Sequence, residues 1–158
     1  ITTIINVHCI VDVGLITLIP RASTAGLEMY DWVTGDWHPV ERDSRSNQCV
    51  LLVGETLSRL SNKYLAPTVH RVAVSQHDTM SIAGELTRYQ LEKRSADRNS
   101  MIYEILPYPF YTIDCNQLNT NVVGPVRDDC ERVLRSYEYI QDISNGRISV
   151  NKEYPAMK

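Results

Sequence analysis

The sequence predicts a mainly β protein of the sandwich, jelly-roll or barrel kind, with two helices set into it. Three observations point there. Short β-branched and aliphatic runs recur along the chain at roughly regular spacing. Clusters of Asp, Asn, Ser and Gly separate them with turn chemistry. Helical periodicity is confined to two stretches, residues 81–96 and 125–143. The 158 residues fit one domain, 1–158, large enough to bury about two-thirds of the surface of its unfolded chain.

Taken in order, residues 1–7 (ITTIINV) and 14–20 are strands by propensity and length. The chain opens on Ile1 in mid-strand without an initiator methionine, which reads as a piece of something longer. Residues 26–30 (GLEMY) form a third strand. Residues 31–37 (DWVTGDW) turn about Gly35, giving a hairpin into His38-Pro39-Val40. Trp32 and Trp37 flank that turn and cap the core. After a polar loop at 42–48, the continuous apolar run 49–53 (CVLLV) predicts a strand covered on both faces. Gly54-Glu55 closes it, with Glu55 as a solvated turn carboxylate.

A turn at Ser61-Asn62-Lys63 leads to Pro67, acceptable as a first strand residue because it needs no ladder donor there. Beyond it Thr68, His70 and Val72 alternate with Val69, Arg71 and Ala73, so a strand carries the His70 imidazole on one defined face. Residues 81–96 place Ile82, Leu86, Tyr89 and Leu91 near helical spacing, an inserted amphipathic helix. Residues 99–106 return to strand. The second helix, 125–143, has Pro125 near its first position, Asp128 and Asp129 in an early turn, and Val133, Tyr137 and Ile140 along one side. The tail from Asn145 is expected to be extended or disordered.

Composition narrows the function. With 43% hydrophobic and 22% charged residues the chain is globular, and no apolar run approaches the roughly 20 residues that cross a bilayer. A net charge of −3 with scattered basic residues disfavours nucleic acid and anionic membranes as partners. Cys9, Cys49, Cys115 and Cys130 are far apart and no secretory signal precedes them, so four reduced thiols in a cytoplasmic protein are expected. Each is expected as a small buried hydrophobe. Neither a glycine-rich phosphate loop nor a Gly-x-Ser-x-Gly elbow is present in the sequence. His38 and His77 lie in hairpin and loop contexts and read as surface histidines.

One set of motifs is more specific. Residues 12–18 (DVGLITL) stand ahead of GLEMYD, followed by GDWHPVE, GETLSRLSNKYLAPTVHRV and Arg98-Asn99-Ser100. This order resembles the isopenicillin N synthase-like branch of the Fe(II)/2-oxoglutarate-dependent dioxygenases, over about residues 7–113. The resemblance implies a double-stranded β-helix (jelly roll) missing its N-terminal strands. Its core would cover about residues 1–115, with one inserted helix and a C-terminal helical extension over about 125–144. It implies Asp12 and His70 as iron ligands, and Arg98 with Ser100 as receptor for the far carboxylate of the cosubstrate 2-oxoglutarate. Two imidazoles and a carboxylate on one face of a metal leave three positions open, which suits non-haem Fe(II). A guanidinium fork with a hydroxyl two residues away suits a carboxylate. Tyr64 matches a position that supports the His70 strand. The implied reaction oxidises a small organic substrate with O₂, by hydroxylation, desaturation or ring closure, while 2-oxoglutarate is decarboxylated to succinate. From another class, a non-catalytic or truncated oxygenase-like scaffold or binding domain would carry the same motifs.

The pattern departs at one residue. The family places its first histidine two residues before the aspartate, where this chain has Ile10, and the nearest histidine is His8. On a regular strand residues four apart lie about 13 Å from one another, too far to share a metal. Two arrangements stay open: a bulge through residues 9–11 that brings His8 in as the third ligand, or a degenerate site with Asp12 and His70 alone.

Overall fold

The computed structural model describes residues 9–73, 98–118, 120–126 and 133–148. The expected strand at 1–7, the expected helix at 81–96, His8, His77, Cys130 and the tail beyond 148 lie outside the described residues. Among the described residues the structure is mainly β: β1 (Ile16–Pro20), β2 (Leu27–Asp31), β3 (Asp36–Pro39), β4 (Cys49–Val53), β5 (His70–Val72), β6 (Tyr103–Ile105), β7 (Thr112–Ile113) and β8 (Leu134–Arg135). Two α-helices, α1 (Glu55–Leu60) and α2 (Ser136–Ser144), and a 3₁₀ turn at Cys115–Leu118 complete it. The strands group as small sheets of order β4-β1-β6, β3-β2-β5 and β7-β8. By contacts the chain divides into two compact units, the first 1–10, 18–51 and 69–103, the second 11–17, 52–68 and 104–158.

In the first unit β2 is central, antiparallel to β3 and to β5, with Met29 opposite both His38 and His70. The hairpin between β2 and β3 forms where its turn chemistry places it. Gly35 takes φ +76°, a conformation other residues adopt only with strain, and its N–H donates to the Asp31 carbonyl at 2.8 Å. The Asp31 carboxylate accepts the Val33 N–H and the Thr34 hydroxyl. Those two bonds, the Val33 one first, hold its pKa below the usual value. Trp32 and Trp37 meet Tyr30 edge-on, at 4.8 and 5.3 Å between ring centroids. Arg71, beside His70, lies 4.0 Å over the Trp37 ring and bonds Glu28 at 2.7 Å. Among the described residues of this unit, Ile19, Ala22, Leu27 and Val69 are buried and apolar.

β4 departs from expectation. Its apolar run suggests cover on both faces, yet Leu51 is 53% exposed while Leu52 is 1% exposed. The strand buries alternate residues, and composition alone cannot tell that from full burial.

The second unit is built round Leu60, Ile113, Leu134 and Tyr139, with Leu15, Ile143 and Ile148 packed against them. The sequence suggests a turn at Gly54-Glu55; instead Gly54 caps α1. Six residues are too few for periodicity to announce a helix, and contacts distant in sequence fix this one. The Gly54 N–H bonds the Leu15 carbonyl, and the Glu55 and Thr56 N–H groups bond the carbonyls of Asp12, Val13 and Gly14. A Cβ on Gly54 would run into the Gly14 carbonyl. Asn62 and Lys63 then turn the chain in the left-handed region, at φ 52° and 62°.

The described C-terminal helix starts later than the sequence suggests, and residues 127–132 of the expected helix, with Asp128 and Asp129, lie outside the described residues. Leu134–Arg135 pairs as a strand with Thr112–Ile113, and the helix starts at Ser136, where the Glu138 carboxylate accepts the Arg135 N–H at 3.0 Å. Its buried side is Ser136, Tyr139 and Asp142, rotated from the expected stripe, and Val133 and Tyr137 are exposed.

Candidate functional site

His70 opens β5 and is buried at 5% exposure. Its backbone N–H and carbonyl both bond Ile10, each at 3.0 Å. Residues that exchange both bonds stand directly opposite, with Cα atoms about 5.5 Å apart and side chains on the same face of the pair. Ile10 therefore sits across from the imidazole at the position where the resemblance expects the first histidine. It is 50% exposed and offers no donor atom. Ile10 makes a lone bridge, with Cys9, Val11 and Asp12 outside any strand, so the straight-strand spacing does not apply through these residues.

Asp12 belongs to the second unit, where its carbonyl accepts the Glu55 N–H at 2.8 Å. Among the described residues, which exclude His8, no three His, Cys, Asp or Glu side chains gather as a metal-holding group. Of the ligands the resemblance implies, the described residues include the His70 imidazole and the Asp12 carboxylate, with an alkyl group at Ile10 where a facial triad would need its second imidazole. That set alone does not fit the ion.

Arg98 and Ser100 do come together. The Arg98 Nη1 donates to the Ser100 hydroxyl at 3.0 Å, although residues 98–102 lie outside any strand and the strand expected over 99–106 is confined to β6. A third residue joins them that the sequence did not single out. Arg98 Nη2 donates to both oxygens of Glu41, at 3.1 and 3.0 Å. Glu41 is 1% exposed, and its carboxylate also accepts the N–H groups of Ala22, Gly26 and Leu27 at 3.2, 2.9 and 2.9 Å. Burial alone pushes such a group up. The Leu27 amide, the Arg98 guanidinium and the Ala22 amide together outweigh it and hold the carboxyl below its usual range. Gly26 leaves the room: a Cβ there would stand 3.1 Å from Arg98 Nε and 3.3 Å from Cδ. No local signal marks Glu41, since its four partners lie up to 57 residues away in the chain.

The remaining candidates settle as structure. Glu55, expected in solvent, is buried and accepts the Tyr139 hydroxyl at 3.3 Å, with the Arg59 guanidinium 5.2 Å over the same ring. Tyr64 is exposed. His38 is an exposed residue 3.6 Å from Asp31, a surface histidine as expected. Cys9, Cys49 and Cys115 are free thiols; Cys115 is buried as expected, whereas Cys49 is exposed. No described helix is long and apolar enough to cross a membrane.

No family model matches the sequence, and no curated protein does. Solved structures do match in fold. A 2OG-Fe(II) oxygenase family protein from Caulobacter crescentus superposes with a TM-score of 0.66 at 23% identity, covering 89% of this chain and 40% of its own. A dioxygenase for auxin oxidation from rice gives 0.63 at 22% identity, covering 88% and 40%. A full-length Neurospora crassa protein solved with alpha-KG gives 0.59 at 20% identity, covering 89% and 37%. The chain has the fold of part of these proteins and spans about 40% of the length of the first of them.

Proposed function

We propose that this chain is the greater part of the core of an Fe(II)/2-oxoglutarate-dependent oxygenase, a single jelly-roll domain that oxidises a small organic substrate. The fold likeness to a 2OG-Fe(II) oxygenase family protein and to a structure holding alpha-KG supports this reading. The observation that carries it is the meeting of Arg98 with Ser100, residues the sequence motif pairs, in the same unit as a buried His70.

In this reading Asp12 and His70 hold Fe(II), and His8 supplies the donor that Ile10 lacks. Iron would supply the redox chemistry that activates O₂ as 2-oxoglutarate loses CO₂. The chain's own part is to bind and orient. The backbone of His70 is fixed by two bonds to Ile10, which sets the face of the strand pair that carries its buried imidazole. Arg98 and Ser100 bind the far carboxylate of the cosubstrate, one with charge and the other with a hydroxyl. Hydroxylation, desaturation and ring closure are open outcomes, and O₂ and a small molecule are the partners.

Succinate formation tests the activity. The purified full chain, given Fe(II), ascorbate and 2-oxoglutarate in air, is expected to form succinate slowly even without substrate. Asp12→Ala and His70→Ala should each abolish it. Succinate formed equally by wild type and both variants would refute the assignment, and none from folded wild type would favour the non-catalytic scaffold.

A further inference from the structure

A guanidinium can grip a carboxylate with two parallel bonds along only two edges, Nη1 with Nη2 or Nε with Nη2. Both edges need Nη2. In this structure Nη2 is committed to the two oxygens of Glu41, and Nη1 to Ser100. The receptor offered to an incoming carboxylate is therefore already occupied by one from the chain itself. The third nitrogen tells the other half. Nε is buried and has no hydrogen-bond partner among the described residues, a donor of the kind that proteins rarely leave unmet.

We propose that Glu41 competes with the distal carboxylate of a dicarboxylate ligand for Arg98, and so sets how tightly the Arg98–Ser100 receptor binds it. The inference rests on the oxygenase reading only for the identity of that ligand as 2-oxoglutarate. Glu41 is held by three backbone N–H groups of residues 22–27, which stay bonded to it when the ion pair opens. The moving partner is accordingly Arg98, whose Nε and Nη2 edge turns from Glu41 to the ligand and gains for Nε the acceptor it lacks. Gly26 permits that turn, because its missing side chain is the space beside Arg98 Nε and Cδ. Glu41 is an affinity-setting residue here: it protects the buried guanidinium when the receptor is empty, and any carboxylate that binds must displace it.

Glutarate tests this without iron, since it carries both carboxylates and no keto group. Binding is followed by calorimetry on the metal-free full chain. Glu41→Gln is expected to bind glutarate about tenfold more tightly than wild type, the equivalent of one charge-assisted bond no longer broken. The gain should vanish in the Glu41→Gln, Arg98→Gln double variant, and Glu28→Gln, which removes one negative charge elsewhere in the same unit, should give none. Glu41→Asp keeps a carboxylate for the backbone amides but draws it back from Arg98, and carries the test should Glu41→Gln fail to fold. Equal affinity in wild type and the Glu41 variants would overturn the proposal, as would a gain that survives loss of Arg98. Tighter glutarate binding without succinate formation would leave the competition standing and remove the oxygenase reading.

Discussion

At Glu41 a single carboxylate joins three backbone amides and one buried guanidinium, so its charge has consequences well beyond its own side chain. Removing one partner of a buried pair leaves the other charge uncompensated, and Arg98 is only 11% exposed. Glu41→Gln should cost about 3 kcal/mol at neutral pH, read from urea unfolding. The sign of its pH dependence follows from a folded pKa below the ordinary 4.5. Its contribution is full above that value and is lost as pH falls through the lower folded value. The gap between wild type and Glu41→Gln should therefore be constant from neutral pH down to about 5 and close as pH falls on through the lower folded value. A gap that stays constant into acid would show that folding does not lower the Glu41 pKa. Gly26→Ala, whose Cβ would press on Arg98, should also destabilise, by about 1 kcal/mol. Of these residues only Arg98 and Ser100 were legible in sequence, because they form one short motif, Arg-Asn-Ser, whose ends bond each other. Glu41 was not, because its partners are assembled by the fold.

Local determinants likewise decide which elements could be read. The β2–β3 hairpin was legible because an aspartate that bonds its own turn and a glycine at positive φ lie within a few residues. Gly35→Ala should cost about 1 kcal/mol in thermal unfolding, as φ +76° costs any other residue. Helix α1 was not legible, since its start depends on carbonyls of residues 12–14 rather than on its own six residues. Gly54→Ala, which forces a methyl group against the Gly14 carbonyl, should cost about 3 kcal/mol or more and leave little folded protein in solution. Tyr139→Phe should cost about 1 kcal/mol by removing a donor from buried Glu55; an unchanged midpoint would mean that bond contributes nothing. The strand at Leu134–Arg135 hid inside a helical pattern because its pairing partner lies at Thr112–Ile113.

For the whole molecule, alternating short strands gave the fold class, and the solved structures bear out the mainly β reading with 2OG-Fe(II) oxygenase proteins as neighbours. At identities of 23% or less these neighbours show the fold alone. The proposed third iron ligand was the unreadable part: Ile10 stands where the resemblance expects a histidine, and the fold sets that residue directly across from His70. That pairing makes Ile10→His a gain-of-ligand test beside the loss at His8. The decisive measurement is an anaerobic titration of the full chain with Fe(II) and 2-oxoglutarate, following the visible charge-transfer band of the chelated keto acid. The account predicts a band in wild type, lost in His8→Ala and restored when Ile10→His is added to it. No band in folded wild type, or one indifferent to His8, would contradict the proposed ligand set.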